Sequence, residues 1–184
     1  MNGWLTPPNL ISILRIVASP WLGWELARGN FRIALPVLFV VGMSDALDGY
    51  LARRFDWKSA LGEKLDPLAD KILVATLYIC FAWQGMLSWC LTGLVLGRDL
   101  MILCLAALGL ASGRARRFPP SFCGKLSTAC QLLLAGACVL RAGWPDLPPQ
   151  PLFAGLVWAV VAATAWSGAH YLWTAVRLLR TERH

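Results

Sequence analysis

The chain has 184 residues, 58% of them hydrophobic and only 15% charged, and carries a formal net charge of +7. A soluble domain of this length would hide so many apolar residues in one core, but here they come in repeated runs of membrane-spanning length. The basic residues form short clusters beside apolar runs and no recognition module is visible, so anionic lipid headgroups account for them better than nucleic acid does.

Apolar runs of about 20 residues, the length a helix needs to cross a bilayer, recur along the chain. They predict six transmembrane helices over about 9–27, 32–53, 60–83, 88–112, 122–142 and 151–177. The runs lack the period-2 alternation of barrel strands, so the expected fold class is an all-α integral membrane protein. With no repeat, low-complexity tract or linker, one membrane domain over 1–184 is expected. The first run holds Arg15 in its interior and lacks a basic n-region, which argues against a cleavable signal peptide. In the fourth, Gly93 with Gly97 and Gly109 with Gly113 make two Gly-x3-Gly pairs that permit close helix approach, within the bundle or across a dimer. The Pro-rich stretch 144–151 reads as an extended extracytoplasmic loop. Trp4, Trp21, Trp24, Trp83, Trp89, Trp144 and Trp173 fall near run ends, as interfacial belts require, while Trp158 and Trp166 read as lipid-facing bulk.

Charge sets the expected orientation. Lys and Arg gather at 53–64 (Arg53, Arg54, Lys58, Lys64), at 114–125 (Arg114, Arg116, Arg117, Lys125) and at the C-terminus (Arg177, Arg180, Arg183). The alternate connections hold only Arg28, Arg32 and Arg141. By the positive-inside rule both termini and both basic loops face the cytoplasm. Cys80, Cys90, Cys104, Cys123, Cys130 and Cys138 are scattered through apolar helices with no Cys-x2-Cys pair and read as packing residues. His170 and His184 show no zinc-ligand pattern.

Against this background stand four aspartates, Asp45, Asp48, Asp66 and Asp70. Charged groups are costly near a bilayer, so such a cluster marks a functional site. Asp45 and Asp48 are i,i+3 and Asp66 and Asp70 are i,i+4, so on two helices each pair shares a face. Two such faces opposed across a turn bring four anions around one volume, and cations must join them. The donors are all hard oxygens, which suits magnesium or manganese rather than zinc. Gly49, Ala52 and Gly62 remove side-chain bulk nearby, for close helix packing or for a ligand, and Arg53 is either a fork for an anion or a topology charge. Asp66-Pro67 allows two local readings: a helix start, or a helix capped by Ser59 and kinked at Pro67, the latter being favoured. An intramembrane carboxylate cluster also suits a cation or proton transporter, but the acids crowd one membrane edge and no internal repeat accompanies them.

The run reads Asp-x2-Asp-Gly-x2-Ala-Arg-x8-Gly-x3-Asp-x3-Asp. It resembles the complete signature of the CDP-alcohol phosphotransferases (CDP-alcohol phosphatidyltransferase class I), and a chance match is on the order of 10^-10 per starting point. The resemblance implies an enzyme of phospholipid biosynthesis with its active site at the cytoplasmic membrane edge, in a bacterial inner membrane, and a homodimer. It implies two divalent cations, Mg2+ or Mn2+, held by Asp45, Asp48, Asp66 and Asp70. Asp70 would be the general base, and Asp48, Gly49, Ala52, Arg53 and Gly62 would line the CDP site. Thr6-Pro7-Pro8-Asn9, Ser12, Arg15 and Pro20 resemble the family's bacterial phosphatidyltransferases, which implies CDP-diacylglycerol as donor with release of CMP. Gly97-Arg98-Asp99, Pro119 and Gly124-Lys125-x-x-Thr128-x-x-Gln131 resemble its branches that take glycerol-type acceptors. Arg98, Arg114 and Lys125 are the acceptor-side candidates. By the same resemblance, Arg98-Asp99, and Ser127 where the glycerol 3-phosphate branch tends to show a second Lys, imply phosphatidylglycerol as the favoured acceptor, giving cardiolipin. The alternative is glycerol 3-phosphate, giving phosphatidylglycerophosphate.

Overall fold

The computed structural model describes the backbone of residues 7–41, 62–111 and 122–180, and the side-chain environments of 12–41, 68–105, 107, 108 and 123–174. Among the described residues the chain is all-helical. The helices are α1 (Pro7–Ala27), α2 (Phe31–Val41), α3 (Gly62–Trp83), α4 (Trp89–Ala111), α5 (Phe122–Gly143) and α6 (Gln150–Arg180). The bounds of α1, α3, α4, α5 and α6 lie close to the apolar runs of the sequence, while the second run, expected over 32–53, is described only to Val41. α5 and α6 are long and apolar enough to cross a membrane.

The helix ends follow local chemistry. α1 and α3 both stop at glycines with positive φ, Gly29 at 79° and Gly85 at 72°. At each, the glycine's own amide and the one after it turn back onto the helix: Gly29 N–H to Leu26 O and Asn30 N–H to Glu25 O, then Gly85 N–H to Ala82 O and Met86 N–H to Phe81 O. This is the Schellman pattern, which satisfies carbonyls the helix end would otherwise leave bare. α4 starts on Ser88, whose hydroxyl accepts from Leu91 N–H at 3.2 Å, as an N-cap does. The 144–149 connection is compact rather than extended. Leu147 N–H bonds Trp144 O at 2.9 Å, and Pro149 O already accepts from Phe153 N–H, so Pro151 falls in the first turn of α6. Proline is tolerated there because first-turn amides have no helical partner.

The chain divides into two compact units, Met1–Met86 with Ala135–Leu147, and Leu87–Leu134 with Pro148–His184. In the first unit α1 packs on α3. The buried stripe of α1 is Ser12, Arg15, Ser19, Leu22, Gly23 and Leu26, polar toward its N-terminal end and apolar toward the other. α3 answers with Ala69, Leu73, Val74, Leu77, Tyr78 and Phe81. The spacing of three and four residues is the one that keeps a stripe on one helix face. In the second unit α4 packs on α6. Its buried polar positions are Thr92, Arg98 and Asp99 on α4, Ser127 and Gln131 on α5, and Thr164 and Ser167 on α6.

Beside an apolar core, the described residues bury polar and charged side chains and expose large apolar ones. Arg, Asp, Gln, Ser and Thr lie inside, whereas Leu14, Val17, Phe39, Trp83, Leu100, Leu133, Trp158 and Trp166 are exposed. Hydrocarbon surroundings favour this arrangement, because polar groups there must find partners inside the protein. Gly93 and Gly97 are exposed, and a Cβ added at either would meet nothing within 4 Å. Close packing within the described chain is not what that glycine pair serves. The side chains at 109 and 113 lie outside the described residues.

Candidate active site

α3 carries Asp66 and Asp70 one turn apart, in the i,i+4 register expected of them. The helix runs from Gly62 straight through Pro67. A helix start at Asp66 is thereby excluded: Pro67 occupies an interior position, where it withdraws the amide that would bond the Glu63 carbonyl. Asp45, Asp48, Gly49, Ala52, Arg53 and Arg114 lie outside the described residues, as does Ser59. Gly62 is the first residue of α3.

Asp70 is held from α1. Its Oδ1 accepts from Arg15 Nη1 at 2.6 Å, across 55 residues of sequence. The pair is asymmetric, since the Arg15 side chain is 2% exposed and that of Asp70 38%. Ser19 on the next turn of α1 donates its hydroxyl to the Arg15 carbonyl at 2.7 Å. In the sequence Arg15 stands out as a cation inside an apolar run and as one of the N-terminal positions that carry the family resemblance, but with no partner indicated. The signal that could have found it is general: a buried intramembrane cation needs an acid, and the nearest cluster of acids was already in view.

In the second unit Arg98 is 6% exposed and its donors are engaged within the protein. Nη1 donates to Asp99 Oδ1 at 2.6 Å. Nε and Nη2 both donate to Ser167 Oγ, at 3.1 and 2.6 Å. Nη2 also reaches the Gly124 carbonyl at 3.4 Å, tying α4 to α5 as well as to α6. The residue after Gly124 is Lys125, which is exposed, so the structure brings Arg98 close to the backbone that carries Lys125. A neighbouring layer joins α5 to α6: Ser127 Oγ lies 3.2 Å from Thr164 Oγ1, and Gln131 Nε2 donates to both hydroxyls at 3.2 and 3.4 Å. Ser127, the position where a second Lys would suit a dianionic acceptor, is thus a fully buried member of a neutral hydrogen-bonded layer. Ser167 and Thr164 escape notice in the sequence because a Ser or Thr in an apolar helix has no pattern of its own.

Known proteins agree with the motif. The family profile described as CDP-alcohol phosphatidyltransferase matches residues 5–166. The chain is similar to "Cardiolipin synthase (CMP-forming)" of Rattus norvegicus, at 32% identity over 97% of this chain and 65% of that protein. It is similar to the protein of the same name from Streptomyces coelicolor, at 31% identity over 97% of this chain and 86% of that one. It is also similar to "Probable phosphatidylglycerophosphate synthase" of Mycobacterium tuberculosis, at 31% identity over 92% of this chain and 81% of that one. The chain spans just under two thirds, 65%, of the length of the rat protein. An unbroken acidic signature inside a profile match of this extent leaves one assignment: the chain belongs to the CDP-alcohol phosphatidyltransferase family.

Proposed function

We propose that the chain is a metal-dependent phosphatidyltransferase of phospholipid biosynthesis that moves the phosphatidyl group of CDP-diacylglycerol onto a glycerol-type hydroxyl. The observation that carries this reading is the complete signature, with its last acid, Asp70, on α3 and partly open. The acceptor hydroxyl gives its proton to the Asp70 carboxylate and its oxygen forms a bond to the phosphatidyl-side phosphorus. The phosphorus–oxygen bond to CMP breaks as that bond forms, and CMP leaves. A base within hydrogen-bond reach of the hydroxyl suffices, and no covalent enzyme intermediate is needed.

The residues present fit a pair of divalent cations. The donor set of Asp45, Asp48, Asp66 and Asp70 is entirely carboxylate, as magnesium or manganese prefers. The Asp70 side chain, 38% exposed, remains accessible to a ligand. When bound, such ions offset the carboxylate charge and stabilise the charge that develops on a phosphoryl group in transfer. Arg53 would pair with the diphosphate, and Gly49, Ala52 and Gly62 would leave room for the nucleotide.

The acceptor we favour is phosphatidylglycerol, giving cardiolipin. The support is a neutral residue at 127, buried and bonded to Thr164 and Gln131, together with Arg98-Asp99. Glycerol 3-phosphate brings a dianion that calls for more cations. Relatives carrying either name stand at 31–32% identity, so glycerol 3-phosphate is the second reading. Lys125, exposed at the start of α5, is the acceptor-side cation open to a phosphate. A phosphate reaching Arg98 would have to take over from Asp99 or Ser167. The topology that goes with this function has six spans, both termini and the basic loops in the cytoplasm, and one domain over 1–184 in a bacterial inner membrane. A homodimer could use the exposed Gly93 and Gly97 face.

The test is CMP release from CDP-diacylglycerol with magnesium or manganese, in separate reactions with phosphatidylglycerol, glycerol 3-phosphate, serine or inositol, with lipid products identified by mass. Turnover with phosphatidylglycerol alone supports the favoured reading. Turnover with glycerol 3-phosphate alone moves the chain to the second. No CMP release with any of the four overturns the acceptor class or the donor.

A further inference from the structure

Arg15 is the buried charge that the proposed chemistry leaves without a task. We infer that Arg15 is a positioning residue for Asp70: from α1 it holds one carboxylate oxygen, so that the side chain is presented in a single orientation toward the acceptor hydroxyl. The inference rests on the reading of Asp70 as base.

The geometry supports it in three ways. The pair joins two helices 55 residues apart, at 2.6 Å between Arg15 Nη1 and Asp70 Oδ1. A contact this short between charged partners is a strong hydrogen bond as well as an ion pair. Its asymmetry of exposure, 2% against 38%, puts the cation on the buried side of a partly exposed carboxylate. A surface salt bridge would expose both partners and contribute little. Finally, Arg15 sits on a stretch of α1 that is tied to its own helix and packed closely on α3. Its own carbonyl accepts from Ser19 Oγ, and two turns further on the α1–α3 approach is so close that Gly23 has no room for a Cβ against Thr76. An aspartate has two side-chain torsions, and an oxygen pinned by a buried fork restricts both. Orientation of this kind is worth most at a group that must meet a reacting proton in one geometry.

The experiment uses the full chain in detergent with CDP-diacylglycerol, divalent cation and the acceptor that supports turnover. Wild type, R15Q, R15K and D70N are compared for kcat, donor KM and thermal unfolding midpoint. The expected result for R15Q is a kcat about 10- to 100-fold lower, the usual range for removing a group that orients a site carboxylate. Donor KM stays within about twofold, as for an interaction that matters to the reacting step rather than to binding. R15K recovers a large part of the loss, because an ammonium can still donate to the same oxygen. A purely structural tie between α1 and α3 predicts otherwise: R15Q would lower the unfolding midpoint and lose activity only in proportion to folded protein lost. That result, or wild-type kcat in R15Q while D70N is inactive, overturns the role of Arg15 and leaves Asp70 as base untouched. Wild-type turnover in D70N removes the base itself and the inference with it. If R15Q does not fold, D70E replaces it, since it keeps the carboxylate but displaces it by one methylene from Arg15. A lowered kcat with unchanged donor KM in D70E supports positioning, and wild-type kcat overturns it.

Discussion

Gly23 on α1 stands so close to Thr76 on α3 that a Cβ added to it would lie 2.5 Å from the Thr76 Cγ2. Thr is stiff at χ1, so its methyl cannot simply swing aside. The same approach lets Cys80 Sγ reach the Gly23 carbonyl at 3.6 Å and Gln84 Nε2 the Leu26 carbonyl at 2.8 Å, along the far half of the α1–α3 seam. Gly23→Ala is expected to destabilise the protein by about 1–3 kcal/mol, the range for overpacking a filled interface. Thermal unfolding in detergent checks this. The double variant G23A/T76S, which removes the opposing methyl, should recover most of the loss.

The Arg98 network makes a second prediction. Asp99 and Ser167 take three of its hydrogen bonds inside the second unit. Ser167→Ala removes the acceptor for two of them and should cost about 1–3 kcal/mol, the penalty for stranding buried donors. Asp99→Ala leaves a buried guanidinium without its counter-ion and should cost about 3–5 kcal/mol. Denaturation midpoints of the two variants, compared side by side, would show whether Asp99→Ala is the worse.

At Gly85, with φ of 72°, and Gly29, with φ of 79°, the backbone lies in the left-handed region. A Cβ there costs about 1–2 kcal/mol. Gly85→Ala should lower the unfolding midpoint although nothing lies within 4 Å of the added carbon. Gly85→Asn should lower it less, since Asn tolerates this conformation better. Equal loss in the two would point to a cause other than backbone strain.

Asp70→Asn should lower kcat by about 10²- to 10⁴-fold, the contribution typical of a general base. Chelation with EDTA should stop turnover in the wild type, and added magnesium or manganese should restore it. Metal-dependent protection from heat by CDP-diacylglycerol should persist in D70N. Its disappearance would make Asp70 chiefly a ligand rather than the base.

Lys125 is exposed at the start of α5 and is expected to meet the acceptor phosphate. Lys125→Ala should raise the acceptor KM by about tenfold, the loss of roughly 1.4 kcal/mol from one charge-assisted contact. The donor KM should not move. A rise in donor KM instead would place Lys125 on the nucleotide side.

The family and the positions of the described helices were legible in the chain because each rests on a short-range pattern. Eight residues at fixed spacing carry the signature, and runs of apolar residues carry the helices. Gly29 and Gly85 likewise mark helix ends by a local property of glycine. What needed the tertiary structure was partnership. Arg15 and Asp70 lie 55 residues apart, and nothing in either neighbourhood names the other until α1 and α3 are packed. Arg98 reads in sequence as a cation waiting for a phosphate, yet packing gives it Asp99, Ser167 and the Gly124 carbonyl. Ser127 reads as the absence of a lysine, and only burial against Thr164 and Gln131 shows what occupies that position instead. The prolines at 144–151 suggest extension, whereas Leu147 N–H turns back onto the Trp144 carbonyl and makes the connection compact. The difference has one physical source: spacing along a helix is set by residues a few positions apart, while the partner of a buried polar group is set by whichever helix the fold brings against it.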